Sequence, residues 1–125
     1  AEAGVAPAVA LPVHLTAETA HEIILAYLAG DKIPDGIIAA SDIIAMSALR
    51  ALSERGIAVP ETVQVVGYDD IFVAEHTSPP LTTIRQNLAM GAGLMVDMLF
   101  KRMAGEETAS VSMPPELIIR GSTQG

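Results

Sequence analysis

Apolar residues between Thr16 and Gly30 recur at spacings of three and four: Ala20, Ile23, Ile24, Tyr27 and Leu28. That period predicts a helix, with Thr16 or Thr19 as its cap and Gly30 as its stop. DKIPDG then reads as a turn. GIIAA, Gly36 to Ala40, is an apolar run without alternation, as expected of a short strand covered on both faces. Ile43, Met46, Leu49 and Leu52 or Ser53 form the next helical stripe, which ends at Gly56, and Ser41 and Asp42 are both good cap residues.

IAVPETV is a loop around Pro60, and VQVVG, Val63 to Gly67, is a second buried strand. Two passes from strand to helix to strand favour parallel pairing through right-handed crossovers. After GYDD, the stretch IFVAEHTSPP has no period and ends in two prolines that preclude a central strand. LTTIR is a short β-branched run. From Asn87 a helix is predicted to Met103, with Leu88, Ala92, Met95 and Leu99 on one face and Gly105 behind it. Gly91 and Gly93 inside it each cost about 1 kcal/mol relative to Ala unless another backbone approaches closely. Met90, Met95, Met98 and Met103 at helical spacing read as core filler. A last strand begins near Glu116, and neither an internal repeat nor a low-complexity tract is present.

At 125 residues the chain has the size of one domain. Half of its residues are apolar but only Tyr27, Tyr68, Phe72 and Phe100 are aromatic, so aliphatic side chains must fill the interior. Fifteen acidic against seven basic residues give a net charge of −8, which argues against direct contact with nucleic-acid backbones. The absence of cysteine excludes disulfides, thiolate metal sites and thiol nucleophiles, and fits the cytoplasm. No stretch reaches the roughly 18 apolar residues of a membrane helix.

In an open parallel sheet, ligands bind beyond the carboxyl ends of the strands. That rule singles out Ser41 and Asp42 after the first run, and Tyr68, Asp69 and Asp70 after the second. A carboxylate there suits the vicinal hydroxyls of a sugar or the amino groups of a base, at about 1.5–3 kcal/mol per charge-assisted hydrogen bond. Ser41 and Asp42 are equally explained as helix caps, and Asp69 and Asp70 as turn formers. Adjacent side chains point apart, so at most one of the two carboxylates faces a shared site, and the strand-end rule favours Asp69.

Enzymatic readings find no catalytic residues. His14, His21 and His76 are scattered without metal-ligand spacing, and neither a G-x-S-x-G elbow nor a phosphate-cradling glycine loop occurs. A phosphoacceptor role for Asp69 wants a lysine at another strand end, whereas Lys32 and Lys101 sit in a turn and on a helix. No cofactor or metal is expected.

The ordered set PDGIIAASDIIAMSALRALSERGIAVPETVQVVGYDD, SPPLTTIRQ and PPELIIRGS closely resembles the carboxyl-terminal part of the effector-binding core of lactose-repressor/galactose-repressor family transcription regulators. The resemblance covers about Thr16 to Thr123. It implies an α/β fold with a doubly wound, mostly parallel sheet of the periplasmic-binding-protein-like kind, present here as an incomplete carboxyl-terminal subdomain. Residues 1–125 would be part of one effector-binding domain, and about 86–112 the segment that crosses to an amino-terminal subdomain lying outside this stretch.

The implied ligand is a small effector, a sugar or sugar phosphate, held by Asp69, with Ser41 lining the cleft and Gln86 at the crossover. Leu15 stands where relatives often stack an aromatic on the ligand, and leucine cannot stack. Asp42 would cap its helix. The implied partners are a second copy, meeting Ile43, Ile44, Met46, Ser47, Arg50, Ile71 and Phe72, and operator DNA, bound only through an amino-terminal helix-turn-helix outside this stretch. The crossing helix would lack its usual partner, so its apolar face is expected to be buried by repacking on this chain or by exchange with a second copy. The alternatives are a solute-binding protein of a sugar transporter, built on the same fold, and an enzyme of doubly wound fold.

Overall fold

A computed structural model describes residues 9–13, 16–30 and 32–124. The element order is α1 (Ala17–Leu28), β1 (Gly36–Ile38), α2 (Asp42–Glu54), β2 (Gln64–Tyr68), a 3-10 turn (Phe72–His76), β3 (Thr82–Arg85), α3 (Leu88–Met103) and β4 (Glu116–Ile118). One sheet runs in the order β1-β2-β3-β4, with β1, β2 and β3 parallel and β4 antiparallel to β3. This is the mostly parallel α/β sheet that the motif order implies.

The core forms where α1 packs on α2 and α2 on one face of the sheet. Ala20, Ile24 and Leu28, one turn apart on α1, meet Ala45, Ala48 and Leu52 of α2, and beneath them lie Val63, Val65 and Leu81. Small alanines on α2 let the helices approach closely. Polar ties complete the contact: the Ser47 hydroxyl donates to Ala17 O at 3.0 Å, and Arg55 Nη2 donates to Leu28 O at 3.0 Å, satisfying an end carbonyl of α1.

Several expectations need correction. The buried stripe of α2 is Ile44, Ala45, Ala48, Leu49 and Leu52, because that is the arc facing both α1 and the sheet, whereas Ile43 and Ser53 are exposed and Met46 is half-buried at the rim. The GIIAA strand is covered on one face only. Ile38 is 86% exposed and Leu117 is exposed too, since no described helix lies over that side of the sheet. The aperiodic stretch after GYDD contains the 3-10 turn, anchored by the buried Ala74, whose carbonyl accepts Leu81 N–H at 2.8 Å.

The largest departure is α3. It starts at the expected place, with Asn87 Oδ1 accepting Met90 N–H at 3.0 Å. Yet it is not repacked on this chain: Leu88, Met95, Val96, Leu99, Phe100 and Met103 are exposed, and Gly91 is the helix's one buried residue. Its methionines are therefore not core filler. Gly91 seats the side chain of Met113 rather than a backbone, and nothing approaches Gly93.

The carboxyl-terminal segment ties β2 to β3. Ser122 is buried, and its hydroxyl accepts Thr82 N–H at 2.8 Å and donates to Val65 O at 2.6 Å, while its own N–H donates to Pro80 O at 2.9 Å. Both parallel strands are thereby closed at their starting ends, which holds their finishing ends in register.

Candidate functional site

Three parallel strands finish at one edge of the sheet. Ser41 follows β1, Asp69 follows β2 and Gln86 follows β3. Of the expected effector residues these three are brought to the same edge, whereas Leu15 lies outside the described residues. Ser41 is half-buried, and Asp69 and Gln86 are exposed.

The cap expected of Asp42 is supplied by Ser41 instead. Ser41 caps α2, its hydroxyl accepting Ile44 N–H at 3.4 Å, and the O–H remains available as a donor. Asp42 is not a cap. It is fully buried, Oδ1 accepting the Thr83 hydroxyl at 2.5 Å and Oδ2 accepting Ile71 N–H at 2.9 Å. Only glycine fits above it, because a Cβ on Gly67 would collide with Asp42 Oδ1.

The two carboxylates of GYDD part company as adjacent residues should. Both have positive φ, 112° at Asp69 and 52° at Asp70, a left-handed turn that Asp tolerates better than most residues. Asp69 N–H still donates to Ile84 O at 2.9 Å, and its carboxylate has no hydrogen-bond partner among the described residues. Asp70 turns inward. Its side chain is 8% exposed and is gripped by Arg85 Nε at 2.6 Å and Arg120 Nη2 at 2.7 Å. Burial pushes its carboxyl up, but hydrogen bonds from Arg120 and Arg85 more than reverse this and hold it below the usual carboxylate range. Hydrogen bonding from Asp70 likewise holds the Arg85 guanidinium charged.

The sequence reading missed Thr83, Arg85 and Arg120 in this network. A signal was present: of seven basic residues, one follows each of the short apolar runs TTI and ELII, and a buried carboxylate after a neighbouring strand needs such a partner.

Two surface grooves among the described residues are lined by neither Ser41 nor Asp69. One, of about 250 Å³, lies between α3 and the segment from Val111 to Met113, with Gln86 at its end. The other, of about 310 Å³, runs between Met46 and Arg50 of α2 and Thr77–Ser78. The strand-end residues thus form an open rim. Of the residues expected to face a partner, Ile43 and Phe72 are exposed and Met46 and Ile71 half-buried, and Arg50 pairs with Glu54 at 2.9 Å. Ile44 and Ser47, expected on a partner-facing surface, are instead buried against α1 and the sheet, each 5% exposed. Among the described residues no cluster of His, Asp or Glu is placed to hold a metal, and no helix is long and apolar enough to cross a membrane.

Residues 1–123 match the model of the periplasmic binding protein-like domain. The chain belongs to that family. It is 38% identical over 109 residues to the HTH-type transcriptional repressor PurR of Pasteurella multocida (strain Pm70), covering 86% of this chain and 33% of that protein. The chain therefore spans about a third of the length of the curated relatives it matches. Among solved structures, it is similar to the lac repressor dimer bound to operator and the anti-inducer ONPF, with a TM-score of 0.84 and 29% identity over 90% of this chain and 40% of that one. It is also similar to the transcriptional regulator CelR in complex with cellobiose, with a TM-score of 0.79 and 36% identity over 88% of this chain and 34% of that one. The resemblance to lactose-repressor/galactose-repressor regulators is thereby shown. These relatives are transcription regulators, which favours a regulator over a transporter's solute-binding protein.

Proposed function

We propose that this chain is the effector-binding and dimerisation portion of a sugar-responsive transcriptional repressor. The observation that carries the reading is the convergence of Ser41, Asp69 and Gln86 at the finishing edge of three co-directional strands, in a chain whose relatives are repressors. Asp69 offers an unpartnered carboxylate to the hydroxyls of a sugar, and Ser41 offers a hydroxyl donor beside it. The rim is half of a cleft. A second subdomain, elsewhere in the full-length protein, closes the other side and covers the apolar face of α3. Sequestering that face is favourable by about 25 cal/mol per Å².

The chain does no chemistry. Effector binding shifts an equilibrium between two arrangements of the core, and the shift is felt at operator-binding segments outside this chain. A charge of −8 keeps these residues off the DNA. The protein works in the cytoplasm as a homodimer joined through Ile43, Met46, Arg50, Ile71 and Phe72.

The test is a thermal-shift screen of the full-length protein against lactose, cellobiose, ribose and glucose 6-phosphate. A sugar that raises Tm in the wild type and fails to do so in Asp69→Ala supports the reading. Equal stabilisation of both forms overturns the site assignment.

A further inference from the structure

The exposed Asp69 sits on a left-handed turn of two residues, a backbone that does not hold itself. Besides the bond from Asp69 N–H to Ile84 O, side chains anchor it. Asp70 is clamped between Arg85 at the end of β3 and Arg120 just beyond β4. Asp70 N–H donates to the Thr83 hydroxyl at 3.4 Å, and that hydroxyl donates on to the buried Asp42. Asp42 also accepts Ile71 N–H, on the far side of the turn. Arg120 is itself immobilised, its Nη1 donating to Leu81 O at 2.9 Å and its backbone N–H to the Thr82 hydroxyl at 2.8 Å. The turn that carries Asp69 is thus bound to Thr83 and Arg85 of β3, to Asp42 at the start of α2 and to Arg120 beyond β4, and Arg85 is the residue next to Gln86.

We infer that Asp70 is a positioning residue of the effector site: its clamp by Arg85 and Arg120 holds the Asp69–Asp70 turn left-handed and so aims the Asp69 carboxylate at the ligand. The inference rests on the proposed role of Asp69. It does not depend on which sugar binds.

The test is amide hydrogen exchange of the full-length protein, wild type against Asp70→Asn and the milder Arg85→Gln, which removes one exposed arm of the clamp. Asp70→Asn is expected to speed exchange at Asp69, whose N–H is bonded to Ile84 O, and at Ile71 by at least tenfold more than at the core residues Val65 and Leu52. Arg85→Gln is expected to give a smaller change at the same residues. Unchanged exchange at Asp69, or a uniform increase at all four amides in both variants, overturns the inference, because a merely stabilising ion pair acts on the whole domain. A second arm titrates each variant with lactose and cellobiose. Any of these sugars bound by the wild type should bind Asp70→Asn at least tenfold more weakly, and equal affinity overturns the inference. Should Asp69→Asn bind that sugar as well as the wild type, the reading of the site fails, while the exchange result still decides the clamp.

Discussion

Replacing Asp42 by Ala tests the interior of this half-domain most sharply. Asp42 accepts two hydrogen bonds, from Ile71 N–H at 2.9 Å and the Thr83 hydroxyl at 2.5 Å, in a site without solvent. Hydrogen bonds to a charged group contribute about 1.5–3 kcal/mol each, and truncation also strands the Ile71 donor. Relief of the carboxylate's own desolvation offsets part of the loss, leaving about 3–5 kcal/mol for the two bonds together. Asp42→Asn keeps one good acceptor and should cost about 1.5–3 kcal/mol. A residue that merely favoured the helix dipole would be worth only about 0.3–1 kcal/mol. The assay is urea unfolding of the full-length protein by circular dichroism, with amide exchange at Ile71 as the local signature. A loss for Asp42→Ala below about 1 kcal/mol, with Ile71 still protected, refutes the tether, since a helix cap alone is worth about that much.

Gly67→Ala should destabilise by about 1–3 kcal/mol, because its Cβ meets Asp42 Oδ1 and lies 3.0 Å from Leu81 Cδ2. On an Asp42→Ala background the same change should cost less, and strict additivity in the unfolding cycle would show that the collision is not the cause. Ser122→Ala removes the bridge between Thr82 N–H and Val65 O and should cost about 2–4 kcal/mol by urea unfolding. A loss under about 0.5 kcal/mol, the range of an ordinary surface change, would show that the strands need no such tie. Asp70 is held below its ordinary range, so its clamp stabilises fully above the unfolded pKa of about 3.9 and is lost as pH falls through the lower folded value. The stability gap between wild type and Asp70→Asn, measured from pH 7 to pH 3, should therefore be flat above about pH 5 and shrink below about pH 4; a gap that grows on acidification contradicts the sign.

Much of the architecture was legible because each short strand announces itself by an apolar run that stops at a polar cluster. The spacing of Ala20, Ile24 and Leu28 placed α1, Asn87 and Gly105 bracketed α3, and the two passes from strand to helix to strand implied the parallel order of β1 and β2. The facing of α2 was not legible. Its apolar residues fill more than half of the circumference, so Ile43 and Ile44 are equivalent in sequence, and only the approach of α1 decides that Ile44 goes inside. Capping by Ser41 rather than Asp42 has the same origin. Both side chains can cap a helix, and the choice is made by Thr83 and Ile71, distant in sequence. The exposure of α3 was illegible for a different reason, since amphipathic spacing records that a face is covered but not by which part of a protein. Within GYDD, the sequence offered only the rule that adjacent side chains part; the left-handed turn separates an exposed Asp69 from an inward Asp70, and Arg120, fifty residues away in the chain, explains why the inward one is stable.

The most direct measurement is a calorimetric titration of the full-length protein with the sugar selected by the thermal-shift screen, comparing wild type with Asp69→Asn. That substitution keeps the shape and removes the charge, taking each hydrogen bond from about 1.5–3 kcal/mol to about 0.5–1.5 kcal/mol. An affinity loss of at least tenfold, with Tm of the free protein unchanged, is the expected result. Equal affinity in the two proteins would mean that the ligand does not meet this carboxylate, and that the finishing edge of the parallel strands is not where the effector binds.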